Sequence, residues 1–70
     1  MGVVLPNSQL TFNVDAPELM EITAGECSVK IAGEAAFKTY AAGSSFKVAE
    51  KSSFDIHTGA GAVDYICSFG

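Results

Sequence analysis

The sequence predicts an all-β domain, a sandwich or barrel of short antiparallel strands. Three observations lead there. Apolar residues recur at every second position along most of the chain. Glycine, proline and asparagine interrupt these runs at near-regular intervals, as turns between short strands do. No segment carries the long helical period that crossovers in a parallel sheet require.

The elements follow in chain order. After the turn formers Pro6-Asn7-Ser8, Leu10, Phe12 and Val14 alternate with Gln9, Thr11 and Asn13, the pattern of a strand with one buried face. Ala16-Pro17 ends it. Met20 and Ile22 repeat the period, and Cys27, Val29 and Ile31 resume it beyond Gly25-Glu26. The stretch Glu34-Ala35-Ala36-Phe37-Lys38 has some helical character, but it is short, poorly capped and flanked by glycines, so it reads as strand. Ala42-Gly43-Ser44 precedes Phe46 and Val48, which are followed by Phe54 and Ile56. Gly59-Ala60-Gly61 reads as a hairpin turn. The last strand places Val63, Tyr65, Cys67 and Phe69 on one face against Asp64, Ile66 and Ser68 on the other.

Composition sets the limits. Seventy residues with 49% hydrophobic content form one domain, residues 1–70, without linker or repeat. A chain of this size buries only about 60% of the surface its unfolded form exposes, so the core is marginal or a partner covers part of it. Eight carboxylates against four lysines, with no arginine, give a net charge of −4. That balance argues against nucleic acid, which needs a basic stripe to displace counterions. No apolar run is long enough to cross a bilayer, and no secretory pattern opens the chain. Cys27 and Cys67 are too distant for a Cys-x-x-Cys pair, so reduced thiols and a cytoplasmic location are expected.

Candidate chemistry is sparse. His57 is the sole histidine and reads as a partly exposed strand residue, so no metal site and no cofactor are expected. Ser44, Ser45, Ser52 and Ser53 flank turns, and no Gly-x-Ser-x-Gly elbow is present. Lys30, Lys38, Lys47 and Lys51 all occupy outward strand or turn positions. The large side chains Phe12, Met20, Phe46, Phe54 and Tyr65 share the inward phase of their strands. They either fill the core or form a stacking pocket for a flat aromatic ligand, with Tyr40 or Tyr65 supplying a hydroxyl. Periodicity alone leaves both open.

An ordered set of motifs then resembles one family over nearly the whole chain. Phe12…Ala16-Pro17-Glu18…Met20…Ile22…Gly25 is similar to the "Phe…Pro-Glu-x-Met-x-Val…Gly" stretch of the small cupin-like pyrimidine/purine nucleoside phosphorylases. Phe37-Lys38-Thr39-Tyr40-Ala41-Ala42-Gly43-Ser44-Ser45-Phe46-Lys47-Val48 resembles their "Trp-x-x-Tyr-x-x-Gly-x-x-Phe-x-Val". Ser53-Phe54-Asp55-Ile56 and Tyr65-Ile66-Cys67-Ser68-Phe69 resemble "Ser-x-Phe-x-Leu" and a terminal "Tyr-Leu-Cys-x-Tyr". Met1-Gly2-Val3-Val4-Leu5-Pro6 is similar to "Val-Gly-Val-Met-x-Pro".

The resemblance implies a cupin-like, jelly-roll type β-barrel, a homodimer, and metal-independent phosphorolysis of purine and pyrimidine nucleosides to base and ribose 1-phosphate. Its partners would be nucleoside and inorganic phosphate. Family motif positions make Glu18, Met20, Tyr40, Phe46, Phe54 and Tyr65 the expected substrate-binding residues, with Phe46, Phe54 and Tyr65 against the base and Glu18 toward a ribose hydroxyl or a base nitrogen. No catalytic residue is singled out. Four departures stand out. Family members carry a further leading segment, so the barrel either lacks its first strand or has an exposed sheet edge. Phe37 replaces a tryptophan, Phe69 replaces the last tyrosine, and His57 stands where glutamine is usual. Absence of arginine also removes the usual grip on phosphate, which keeps a second reading in play: a non-catalytic cupin-like binding or structural module.

Overall fold

The computed structural model describes residues 2–69, so Met1 of the leading motif lies outside the described residues. Alternation becomes eight strands: β1 (Gly2–Val4), β2 (Gln9–Val14), β3 (Glu18–Ala24), β4 (Glu26–Ile31), β5 (Lys38–Ala41), β6 (Ser45–Val48), β7 (Ser52–Thr58) and β8 (Val63–Phe69). They build two four-stranded sheets, ordered β1-β8-β3-β6 and β2-β7-β4-β5, and every pairing is antiparallel. This is the two-sheet jelly roll, in which each sheet buries one face against the other.

The strand order explains one correction. Gly59-Ala60-Gly61 does not close a hairpin, because β7 and β8 lie in different sheets and the segment carries the chain across the sandwich. Asn7 N–H donates to the Gly59 carbonyl at 2.7 Å, tying the crossing to the β1–β2 connection. A glycine-rich turn looks the same in sequence whether it reverses a strand or changes sheet. Only β4 and β5 are both consecutive and paired.

The second correction concerns Glu34–Lys38. Residues 34–37 are irregular and β5 begins at Lys38. Glu34 Oε1 accepts the Ile31 N–H at 3.1 Å, and its other oxygen lies 3.4 Å from Lys38 Nζ. The side chain thus satisfies the backbone at the end of β4, in competition with a strand ladder.

Two glycines have steric duties. Gly25 alone connects β3 in one sheet to β4 in the other, with φ at +83°. A Cβ there would collide with the Ala62 carbonyl oxygen. Gly2 lies beneath the Tyr65 ring, where a Cβ would come within 2.5 Å of the phenol oxygen. The aromatic ring covers what would otherwise be a bare glycine on an edge strand. β1 is an edge strand, paired with β8 alone.

The core lies between the sheets. Val4, Val14, Met20, Ile22, Val29, Val48, Phe54, Ile56 and Val63 are buried, with Cys27 and Phe46 beside them. Leu10 departs from its strand's inward pattern and is exposed, because it sits near the starting end of β2 at one end of the sandwich. No helix among the described residues is long and apolar enough to cross a membrane.

Candidate functional site

Inward-facing residues of the first sheet stand in three rows. Ile22 pairs with Tyr65, which in turn pairs with Gly2. Met20 pairs with Cys67 on one side and Phe46 on the other, and Glu18 pairs with Phe69 and Val48. Polarity rises along these rows. The first two are apolar apart from the Tyr65 hydroxyl and the Cys67 thiol, and the third brings a carboxylate to the end of the sandwich.

Opposite them, the second sheet contributes Phe12, Phe54 and Tyr40. The aromatic rings form a continuous series through the interior. Tyr40 lies 4.8 Å from Phe46, Phe46 5.4 Å from Phe54, Phe54 5.0 Å from Phe12, and Phe12 6.1 Å from Tyr65, between centroids. Two contacts are edge-to-face, the arrangement the ring quadrupole favours. Three of these four contacts cross from one sheet to the other, while Phe54 and Phe12 are cross-strand partners within the second sheet, so the series acts as a joint between the two.

All six sequence-predicted residues therefore face one interior, but at different depths. Met20, Phe46 and Phe54 are buried, while Glu18, Tyr40 and Tyr65 are half-buried and carry the polar atoms. Phe12, one of the large inward side chains but not among the six expected site residues, belongs to the same ring series. Cys67 was read as an inert thiol, yet its Sγ donates to Glu18 Oε1 at 2.8 Å. Alternation puts Cys67 in phase with Val63 and Tyr65, and only the β3–β8 register makes it a diagonal neighbour of Glu18. Burial first, and then the hydrogen bond to Glu18 and its charge, push the Cys67 thiol up to about 11. Cys67 is thus a protonated donor at neutral pH. Cys27 is also raised, by burial and the neighbouring Glu26 charge, and both cysteines are free.

Glu18 also lines a surface hollow of about 250 Å³ with Pro17, Leu19, Lys47 and Val48. A larger apolar hollow of about 490 Å³ lies beside Gly2, Val3, Thr23, Asp64, Tyr65 and Ile66. A smaller polar one, of about 180 Å³, sits at the β4 end with Lys30, Glu34 and Asp55. The Glu18 hollow takes in Lys47, which pairs with Leu19 on the outward phase, and the polar one brings Phe54 beside Lys30. His57 is half-buried on β7, its ring 4.4 Å from Phe37, away from the inward set. No cluster of three or more His, Cys, Asp or Glu side chains capable of holding a metal ion occurs among the described residues. Chemically, the arrangement offers an anchored carboxylate, two phenol hydroxyls and an aromatic floor.

Comparison with known proteins gives this constellation a setting. The pattern that defines the pyrimidine/purine nucleoside phosphorylases matches residues 1–69. A protein of that name from Thiobacillus denitrificans is 56% identical over 70 residues, covering 100% of this chain and 66% of the relative. Its namesake in Cupriavidus pinatubonensis is 51% identical, covering 100% of this chain and 65% of the relative. The chain thus spans just under two thirds of the length of these relatives. Among solved structures, a protein of unknown function from Acinetobacter sp. ADP1 superposes with a TM-score of 0.91 at 45% identity, covering 97% of this chain and 65% of that one. Another, from Vibrio parahaemolyticus, has a TM-score of 0.86 at 42% identity, covering 93% of this chain and 67% of that one. Matched along virtually its whole length in both sequence and fold, the chain belongs to the pyrimidine/purine nucleoside phosphorylase family.

Proposed function

We propose that the protein is a nucleoside phosphorylase with a cupin-type barrel, cleaving purine and pyrimidine nucleosides with inorganic phosphate. The observation that carries this reading is the family match over residues 1–69. In the reaction a phosphate oxygen bonds to C1′ as the C1′–N bond breaks. The bonding pair leaves with the base, which takes up, through water, the proton that the attacking hydrogen phosphate releases, and ribose 1-phosphate remains.

The chain's residues have definite tasks in this scheme. Phe46 and Phe54 form the floor for the base, Tyr65 joins them through Phe12, and Met20 stands between Cys67 and Phe46. Glu18 accepts a hydrogen bond from a ribose hydroxyl, and Tyr40 donates to an oxygen that gains charge in the transition state. Lys47 shares the Glu18 hollow and supplies a point charge for phosphate in a chain without arginine. A homodimer completes the picture. Val3 and Ile66 lie exposed on the outer side of the first sheet, and Leu5 follows them at the end of β1. Light scattering on the eluting protein tests this: twice the 7.3 kDa chain mass is expected, and a monomer contradicts it.

One observation favours a second reading, a binding or structural module without turnover: the chain has no arginine to grip phosphate. The experiment that separates the readings is phosphate-dependent release of free base from uridine, adenosine or inosine. If only a fusion to the leading segment of a relative releases base, the second reading holds for the chain alone.

A further inference from the structure

We infer that Cys67 is a positioning residue, whose thiol fixes the Glu18 carboxylate so that Oε2 is presented to a nucleoside hydroxyl. The inference deepens the proposed function and rests on it. Glu18 starts β3 directly after Pro17, at the end of its sheet, where a long side chain has many rotamers to lose on binding. The antiparallel β3–β8 ladder sets Cys67 one step inward, paired with Met20. From there the thiol spans the diagonal and donates to Oε1 at 2.8 Å, which leaves Oε2 outside the bond. Sulfur is a weak donor, so the ion it faces gives the contact its strength.

The chemistry of the thiol matches that duty. Held near 11 by burial and by Glu18, it stays protonated through neutral and mildly alkaline pH, so the donor is always loaded. Cys67 packs against the hydrophobic core, which anchors the donor in the most rigid part of the sandwich. Half-buried Glu18 thus has one oxygen fixed by the thiol and the other left for a ligand hydroxyl.

The test is equilibrium binding of uridine, without phosphate, to the wild type, Cys67→Val and Cys67→Ser, each confirmed folded by its melting curve. Valine preserves size but cannot donate, and serine restores a donor. The expected result is about tenfold weaker binding for Cys67→Val, with Cys67→Ser within about threefold of the wild type. Equal binding by Cys67→Val overturns the inference while the proposed function stands. A serine variant as weak as the valine variant also overturns it, because packing of sulfur, not donation, would then be the cause. A wild type that binds no nucleoside fails the proposed function first, and this inference falls with it. Alkylation of Cys67, followed by peptide mass, supplies a readout without nucleoside. Glu18→Gln is expected to accelerate it about threefold by removing the charge that disfavours thiolate, and an unchanged rate contradicts the pairing.

Discussion

The middle of the sandwich and its Glu18 end share strand β8, yet they differ in what surrounds their side chains. In the middle, Val29, Ile56 and Val63 are fully buried and no polar side chain intrudes. At the end, Glu18, Cys67 and the exposed Phe69 meet water. Apolar burial holds the sheets together where shape matters most, and a carboxylate becomes affordable only where solvent reaches it and a donor meets it. On the proposed function, stability and chemistry lie at different levels of the sandwich, and substitutions should separate them too.

The largest expected effect is in the middle. Phe54→Ala removes the ring that touches both Phe12 and Phe46, and should cost about 3–5 kcal/mol. A domain of this size has only about 0.05–0.15 kcal/mol per residue of stability, so urea unfolding should show the variant near or beyond its limit. Unchanged unfolding would mean that the ring series is not the joint between sheets.

Next comes the turn between sheets. Gly25→Ala combines a positive φ with a collision against the Ala62 carbonyl, whereas Gly33→Ala has a positive φ of 91° but open space around it. Both carry backbone strain of about 1–3 kcal/mol, and the Gly25 variant should be the less stable of the two in the same urea titration. Equal losses would show that space around Gly25 does not matter.

At the end of the sandwich the balance reverses. Glu18→Gln should change stability by no more than about 0.5 kcal/mol while lowering phosphate-dependent base release at least about tenfold. A variant that loses stability instead would make Glu18 a structural residue.

The smallest effect is at the β4–β5 loop. The Ile31 N–H, followed by Lys38, holds the Glu34 carboxyl below its ordinary value of 4.5. A lowered folded-state value means that this contribution is present above the unfolded value and is lost as pH falls through the folded one. Melting temperatures taken from pH 6 down to 3 should therefore fall less steeply for Glu34→Gln than for the wild type. Identical slopes would remove Glu34 from the acid response.

The middle was far more legible in the sequence than the end. Met20-x-Ile22, Phe46-x-Val48 and Phe54-x-Ile56 state their burial directly, because alternation reports which face a side chain takes. Which strands become neighbours is a different kind of information. Nothing near Glu18 announces Cys67, which is 49 positions away and meets it only through the β3–β8 register. Gly59-Ala60-Gly61 misled for the same reason, since its local chemistry suits a hairpin and its destination depends on the whole sheet order. Glu34 misled differently, by using its side chain on the backbone where a strand ladder was expected. The six expected site residues come from the motifs, and the structure divides them into three buried and three half-buried side chains.

The central claim is that this site cleaves nucleosides with phosphate. Its most direct test is to incubate the purified chain with uridine or adenosine, with and without inorganic phosphate, and to quantify free base and ribose 1-phosphate. The account predicts the two products in equal amounts, formed only when phosphate is present. A folded protein that binds nucleoside yet releases no base in phosphate would contradict it.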